Sequence, residues 1–100
     1  MPIDDYTDET GEKVRSRRGL WRLMLRLPTM RGDLQILAAK SHRLDALCAA
    51  YEDASVTLAR LRKERHNADQ TLLAEYRMIC EEIESDVIQY CLTHDSSVSE

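Results

Sequence analysis

The chain has 100 residues, of which 43% are hydrophobic and 32% are charged, a composition typical of one small soluble helical domain. Phenylalanine is absent and there are only two prolines, so a mostly helical chain with an aliphatic core is predicted. The net charge of −4 argues against a strongly basic nucleic-acid-binding protein.

Charged residues are segregated along the chain into blocks of opposite sign. Residues 1–12 contain five acidic residues and no basic one, and residues 13–31 contain seven basic residues and no acidic one. Residues 68–100 contain eight acidic residues against a single arginine. Blocks of this kind are expected to neutralise one another within the chain.

The first 31 residues divide into two segments. Residues 1–14 are acidic, contain turn-forming residues and offer little to bury, so they are predicted to be disordered. Residues 15–31 are a basic amphipathic segment, predicted to be a short helix that Pro28 ends. One face of this helix carries Arg15, Arg18, Arg22 and Arg26, and the apolar cluster is Leu20, Trp21, Met24 and Leu27.

Two kinds of role fit this basic segment. The favoured interpretation is that its leucines and Trp21 pack against the rest of the chain, because a mostly apolar run is costly to expose to water. Basic amphipathic segments also bind partner proteins, nucleic-acid phosphates or anionic membrane surfaces. The four arginines and the four apolar residues are therefore the candidate partner-binding residues.

Residues 32–94 carry the heptad pattern of two helices packed along a narrow seam. The first helix is predicted from Asp33 to Glu64. The second follows a polar break in which Asn67 is a good N-cap and Gln70 completes a capping box.

A short connection makes these two helices antiparallel, so that seam residues pair with a constant sum of residue numbers. Six layers share the sum 134, namely Leu61–Leu73, Leu58–Tyr76, Ala54–Cys80, Tyr51–Ile83, Leu47–Val87 and Leu44–Tyr90. The next layer, Lys40 with His94, is polar and marks the end of the seam. Residues 95–100 are predicted to be a disordered tail.

Two helices alone bury too little surface to be stable, and further apolar residues lie off the seam. A homodimer that forms a four-helix bundle is therefore predicted. Its candidate contact residues are Ile36, Ala50, Ala54, Leu72 and Ile79.

Features that could support chemistry do not combine into a site. Cys91 and His94 share a helical face, but two ligands do not make a zinc site. No glycine-rich phosphate loop or nucleophile elbow occurs, so no metal, no cofactor and no enzymatic activity are expected. An odd number of cysteines and the lack of an apolar run of about 18 residues indicate a reduced, cytoplasmic setting.

The sequence thus predicts an all-α, non-enzymatic helical hairpin that mediates protein–protein interaction. It would bind a second copy of itself, or a larger protein as an accessory or regulatory subunit. The alternatives are a nucleic-acid-binding regulator that uses the Arg15–Arg31 segment and a membrane-surface adaptor that uses Trp21 and its neighbouring leucines.

Overall fold

The computed structural model describes the backbone of residues 3–64 and 70–94, and the side chains in those ranges from Gly11 onward. These residues form four α-helices, α1 (Ile3–Arg26), α2 (Arg31–Lys40), α3 (His42–Lys63) and α4 (Gln70–Thr93), with a 3-10 helix at Pro28–Met30 between α1 and α2. The described part of the chain contains no strand, and the predicted all-α class is confirmed. The predicted N-cap Asn67 and the predicted tail 95–100 lie outside the described residues.

The predicted single helix from Asp33 to Glu64 is wrong, because the chain breaks at Ser41 into α2 and α3. Ser41 is extended, with φ −119° and ψ 120°, and its Oγ accepts a hydrogen bond of 3.1 Å from the amide of Leu44. This is the geometry of an N-cap, which satisfies one of the free amides at the start of α3. The break allows α2 to pack against both α1 and α3.

Helix α1 is longer than the basic segment that the sequence delimits. It begins at Ile3, within the residues 1–14 for which disorder was expected, and continues to Arg26. An acidic first half followed by a basic second half is the order that a helix dipole favours. Acidic composition alone does not reveal this order.

Helix α1 lies against α3, and the two backbones come close together at Gly19. A Cβ atom built on Gly19 would overlap the carbonyl oxygen of Cys48 and would lie 2.6 Å from the carbonyl carbon. Only glycine leaves room for the two backbones at this separation. Three residues earlier, the buried Ser16 donates a hydrogen bond of 3.2 Å to Asp45 at the start of α3.

Helices α3 and α4 are joined by polar contacts along their length. The Tyr90 hydroxyl donates a 2.7 Å hydrogen bond to Ser41 Oγ, so the end of α4 meets the start of α3. Near the middle of both helices, the Tyr51 hydroxyl donates to the carboxylate of Glu84. The two helices therefore run in opposite directions, whereas the individual layers of the 134 register stay a prediction.

The core receives side chains from all four helices. Its largest fully buried members are Leu23, Leu34, Leu44, Val87, Cys48 and Cys91. The molecule measures 53 × 41 × 18 Å, so its shortest dimension is less than half of either of the others. A body this thin leaves large apolar side chains at its surface.

Candidate interaction surface

The structure divides the eight candidate partner-binding residues between the core and the surface. Met24 is buried, and Leu20 and Leu27 are half-buried against the core. Arg15, Arg22 and Arg26 form ion pairs with acidic residues of α3 and α4. Only Arg18 and Trp21 of this set point to solvent with no ion pair or hydrogen bond to another described residue.

The expectation that Trp21 is shielded against the rest of the chain is wrong, since the side chain is 57% exposed. The contact face of α1 contains Gly19, where the backbone of α3 lies close, and Leu23, which is fully buried. Residues two apart on a helix point about 200° apart. Burial of Leu23 therefore turns Trp21 away from α3.

The ion pairs show how the basic block is neutralised. Arg22 Nε lies 2.7 Å from Oε1 of Glu52, a carboxylate that is itself buried, and Arg15 Nε lies 3.3 Å from Asp53 at the surface. Arg26 Nε lies 3.2 Å from Glu84, the same carboxylate that accepts the Tyr51 hydroxyl. Glu84 thus connects α1, α3 and α4. All three arginines form ion pairs within the chain, so an external ligand would have to compete with those pairs.

A second set of α1 side chains forms one exposed surface, named the α1 patch, which consists of Arg17, Arg18, Trp21, Arg22 and Leu25. These residues and Glu52 line a shallow depression of about 590 Å³. Leu25 is 64% exposed. Arg17 and Leu25 were missed by the sequence-based choice of residues, although Leu25 follows Trp21 by one helical turn. The patch combines an indole, a leucine and three guanidinium groups in one place.

The candidate self-association residues also separate into two groups. Ile36, Leu72 and Ile79 are exposed large apolar side chains. Ala50, on α3, is also exposed. Ala54 is only 5% exposed and belongs to the core cluster. The chain's own helices cover Ala54, so this residue is not part of the exposed surface, and its assignment to a contact with a partner stays a prediction.

The outer side of α4 forms a further surface, named the α4 face. Its members are all exposed and lie at helical spacing, namely Leu72, Glu75, Met78, Ile79, Glu82 and Asp86. Its three acidic side chains form no ion pair with the described residues. The α4 face is therefore apolar and acidic, the counterpart in charge of the α1 patch.

A cleft of about 480 Å³ lies where α1, α2 and the start of α3 meet. Its lining includes the basic residues Lys13, Arg17 and Lys40 and the acidic residue Asp45. The Asp45 carboxylate accepts the Ser16 hydrogen bond inside this cleft, so an entering anion would meet a negative charge as well as the positive ones.

Two of the three cysteines, Cys48 and Cys80, have thiols that burial holds in the protonated form. Burial, together with the nearby Asp45 and Cys91, raises the pKa of the Cys48 thiol to about 12. Burial also raises the pKa of Cys80. The thiolate, which is the reactive form, is therefore scarce at both positions at neutral pH.

Neither a metal-ion cluster nor a membrane-spanning helix occurs among the described residues. No three His, Cys, Asp or Glu side chains within residues 3–64 and 70–94 are grouped to hold a metal ion. None of the helices in that part of the chain combines the length and the apolar character needed to cross a bilayer.

Comparisons with protein-family models, with curated proteins and with solved structures found no match to this chain.

Proposed function

We propose that this chain is a non-enzymatic helical module for protein–protein interaction that associates with a second copy of itself. In this role it would act as an accessory or regulatory subunit of a larger assembly in the reducing environment of the cytoplasm. The observation that carries the proposal is the amount of large apolar surface that the thin fold leaves in water.

Eight large apolar side chains of the described residues are exposed, namely Trp21, Leu25, Ile36, Val56, Leu72, Met78, Ile79 and Leu92. Single exposed apolar residues are common on soluble proteins, but grouped ones usually mark an interface. Five of the eight are grouped here, with Trp21 beside Leu25 on α1 and Leu72, Met78 and Ile79 on α4. Covering both groups would stabilise an assembly through the hydrophobic effect.

A four-helix bundle made from α3 and α4 of two copies stays a prediction within this proposal. Helix α1 already covers one side of α3, so the bundle could use only surfaces that α1 leaves open. Ala50, Leu72 and Ile79 are exposed and meet that condition, whereas the buried Ala54 does not.

The ion pairs of α1 make nucleic acid a less suitable partner. Of the arginines predicted to bind phosphate, Arg15, Arg22 and Arg26 already pair with carboxylates of the chain, and breaking those pairs would offset part of any gain. The same argument weakens the membrane-surface alternative, since an anionic headgroup would compete for the same guanidinium groups.

Sedimentation equilibrium across the micromolar range tests this proposal. We expect a reversible monomer–dimer equilibrium that depends only weakly on salt, because apolar contact supplies most of the affinity. A monomeric mass at every concentration would contradict self-association.

A further inference from the structure

We propose that the α1 patch of one copy binds the α4 face of a second copy, and that the same contact forms a second time in the reverse sense. This proposal rests on the self-association argued above and names the surfaces that form it. In this arrangement Leu72 and Ile79 contact α1 of the second copy. In the four-helix bundle predicted from the sequence they would contact its α3 and α4.

Both surfaces have the residue spacing of a helix-to-helix seam. On α1 the line runs through the half-buried Val14 and the exposed Arg18, Trp21 and Leu25, with offsets of four, three and four residues. On α4 it runs through Leu72, Glu75, Ile79, Glu82 and Asp86, with offsets of three, four, three and four. Alternation of three and four residues keeps a stripe facing a partner helix along its whole length. The two stripes are about 17 Å and about 21 Å long at 1.5 Å per residue, so they match in length.

The charges that remain uncompensated on the two surfaces are opposite in sign. Arg17 and Arg18 form no ion pair with the described residues, although their neighbours Arg15 and Arg22 do. Glu75 and Glu82 likewise have no basic partner among those residues. Complementary charge of this kind selects a partner and fixes the register of a contact.

Apolar side chains lie between the charges on both surfaces. Trp21 and Leu25 project from the α1 patch, and Leu72 and Ile79 are 37% and 38% exposed on the α4 face. Tryptophan and arginine are the residues that most often dominate the affinity of an interface. Trp21 lies between Arg18 and Leu25 in the stripe, where contact with a facing apolar helix would exclude water from it.

A second copy accounts for both surfaces at once. In a two-fold symmetric dimer each copy supplies one α1 patch and one α4 face, so that neither surface is left uncovered. Nucleic acid would engage the basic patch alone and would leave Leu72, Met78 and Ile79 in water.

Exchange of charge between the two surfaces tests this pairing. One variant carries Arg17→Glu with Arg18→Glu, and the other carries Glu75→Lys with Glu82→Lys. All four positions are exposed and without ion pairs in the described fold, so each variant should keep the native circular dichroism spectrum. Arg31→Glu with Arg43→Glu, two exposed arginines outside both surfaces, is the matched control.

Sedimentation velocity on each variant and on their mixture gives the outcome. We expect each variant alone to dimerise about tenfold more weakly or worse, because like charges then face each other, and the control to dimerise as the native chain does. An equimolar mixture of the two variants should regain the native affinity as a heterodimer, since every facing pair is again opposite in charge.

Other outcomes overturn the proposal in distinguishable ways. Variants that both dimerise like the native chain would place the interface elsewhere while self-association stands. Loss of dimer in both variants without recovery in the mixture would show that the two surfaces do not face each other. A native chain that is monomeric throughout would remove the dimer itself before any variant is compared.

Discussion

Gly19 and the carbonyl group of Cys48 occupy adjoining space, and a Cβ on Gly19 would lie 2.6 Å from the Cys48 carbonyl carbon. Gly19→Ala should therefore push α1 away from α3 and destabilise the fold by about 1–3 kcal/mol, as overpacking does. Urea denaturation monitored by circular dichroism measures the change.

Gly11→Ala is the matched control in the same helix, because nothing lies within 4 Å of a Cβ at that position. It should be neutral or stabilise by up to about 1 kcal/mol through helix propensity. Equal effects from the two substitutions would mean that α1 does not approach α3 at Gly19.

The ion pairs Arg22–Glu52 and Arg15–Asp53 should contribute differently to the free energy of unfolding. Removal of Arg22 leaves the buried carboxylate of Glu52 without its 2.7 Å partner, so Arg22→Met should cost about 1–3 kcal/mol. Arg15→Met removes an exposed pair with Asp53 and should cost less than about 1 kcal/mol. Double-mutant cycles with Glu52→Gln and Asp53→Asn would contradict this ranking if the coupling energies came out equal.

The contact of α3 with α4 can be tested with two neighbouring residues that differ in burial. Leu47 is half-buried against the core and Ala46 is exposed. Leu47→Asp should bring a charge to the seam that faces Val87 in the 134 register and lower the melting temperature by several degrees, at about 4–8 °C per kcal/mol. Ala46→Asp should leave the melting temperature nearly unchanged, and a similar loss for both variants would argue against the register.

Alkaline pH should destabilise the fold through Cys48. The thiol has an ordinary pKa of 9.0, which burial raises to about 12, so between these values the unfolded chain has lost a proton that the folded chain keeps. The free energy of unfolding therefore falls as pH rises through this window, by at most about 1.4 kcal/mol per pH unit for this group.

Cys48→Ala identifies the contribution of this thiol to the pH dependence. The variant should show a shallower decline in the free energy of unfolding between pH 9.0 and about 12. Tyr51, whose pKa is raised by burial and by its hydrogen bond to Glu84, will still contribute at the upper end. An unchanged slope in the variant would show that Cys48 is not buried as a neutral thiol.

Periodicity predicted the twelve seam positions of α3 and α4, all of which are buried or half-buried, but it did not predict the burial of Cys48 and Cys91. It did not predict the break at Ser41, since Leu37 and Leu44 keep heptad spacing across it. The available signal was local, namely a serine followed within one turn by Asp45, at a position where the layer of Lys40 and His94 already turns polar.

The face that α1 buries could not be read from hydrophobicity, because Leu20 to Leu27 is apolar on almost every side. Close backbone contact at Gly19, which has no side chain, determines that α1 buries the face with Leu23 and exposes the face with Trp21. That information lies in the fit between two helices and is absent from the periodicity of either one. It is also the reason why Trp21 and Leu25 became surface residues.

Trp21 is the chain's only tryptophan, so its fluorescence reports directly on the surface to which the account assigns self-association. In dilute solution the emission should be red and readily quenched by acrylamide, because the side chain is 57% exposed. As concentration rises, the emission should shift to the blue and resist the quencher over the same range in which sedimentation detects the dimer. Emission that stays red and freely quenched in the dimer, or that is blue and protected in the monomer, would contradict the account.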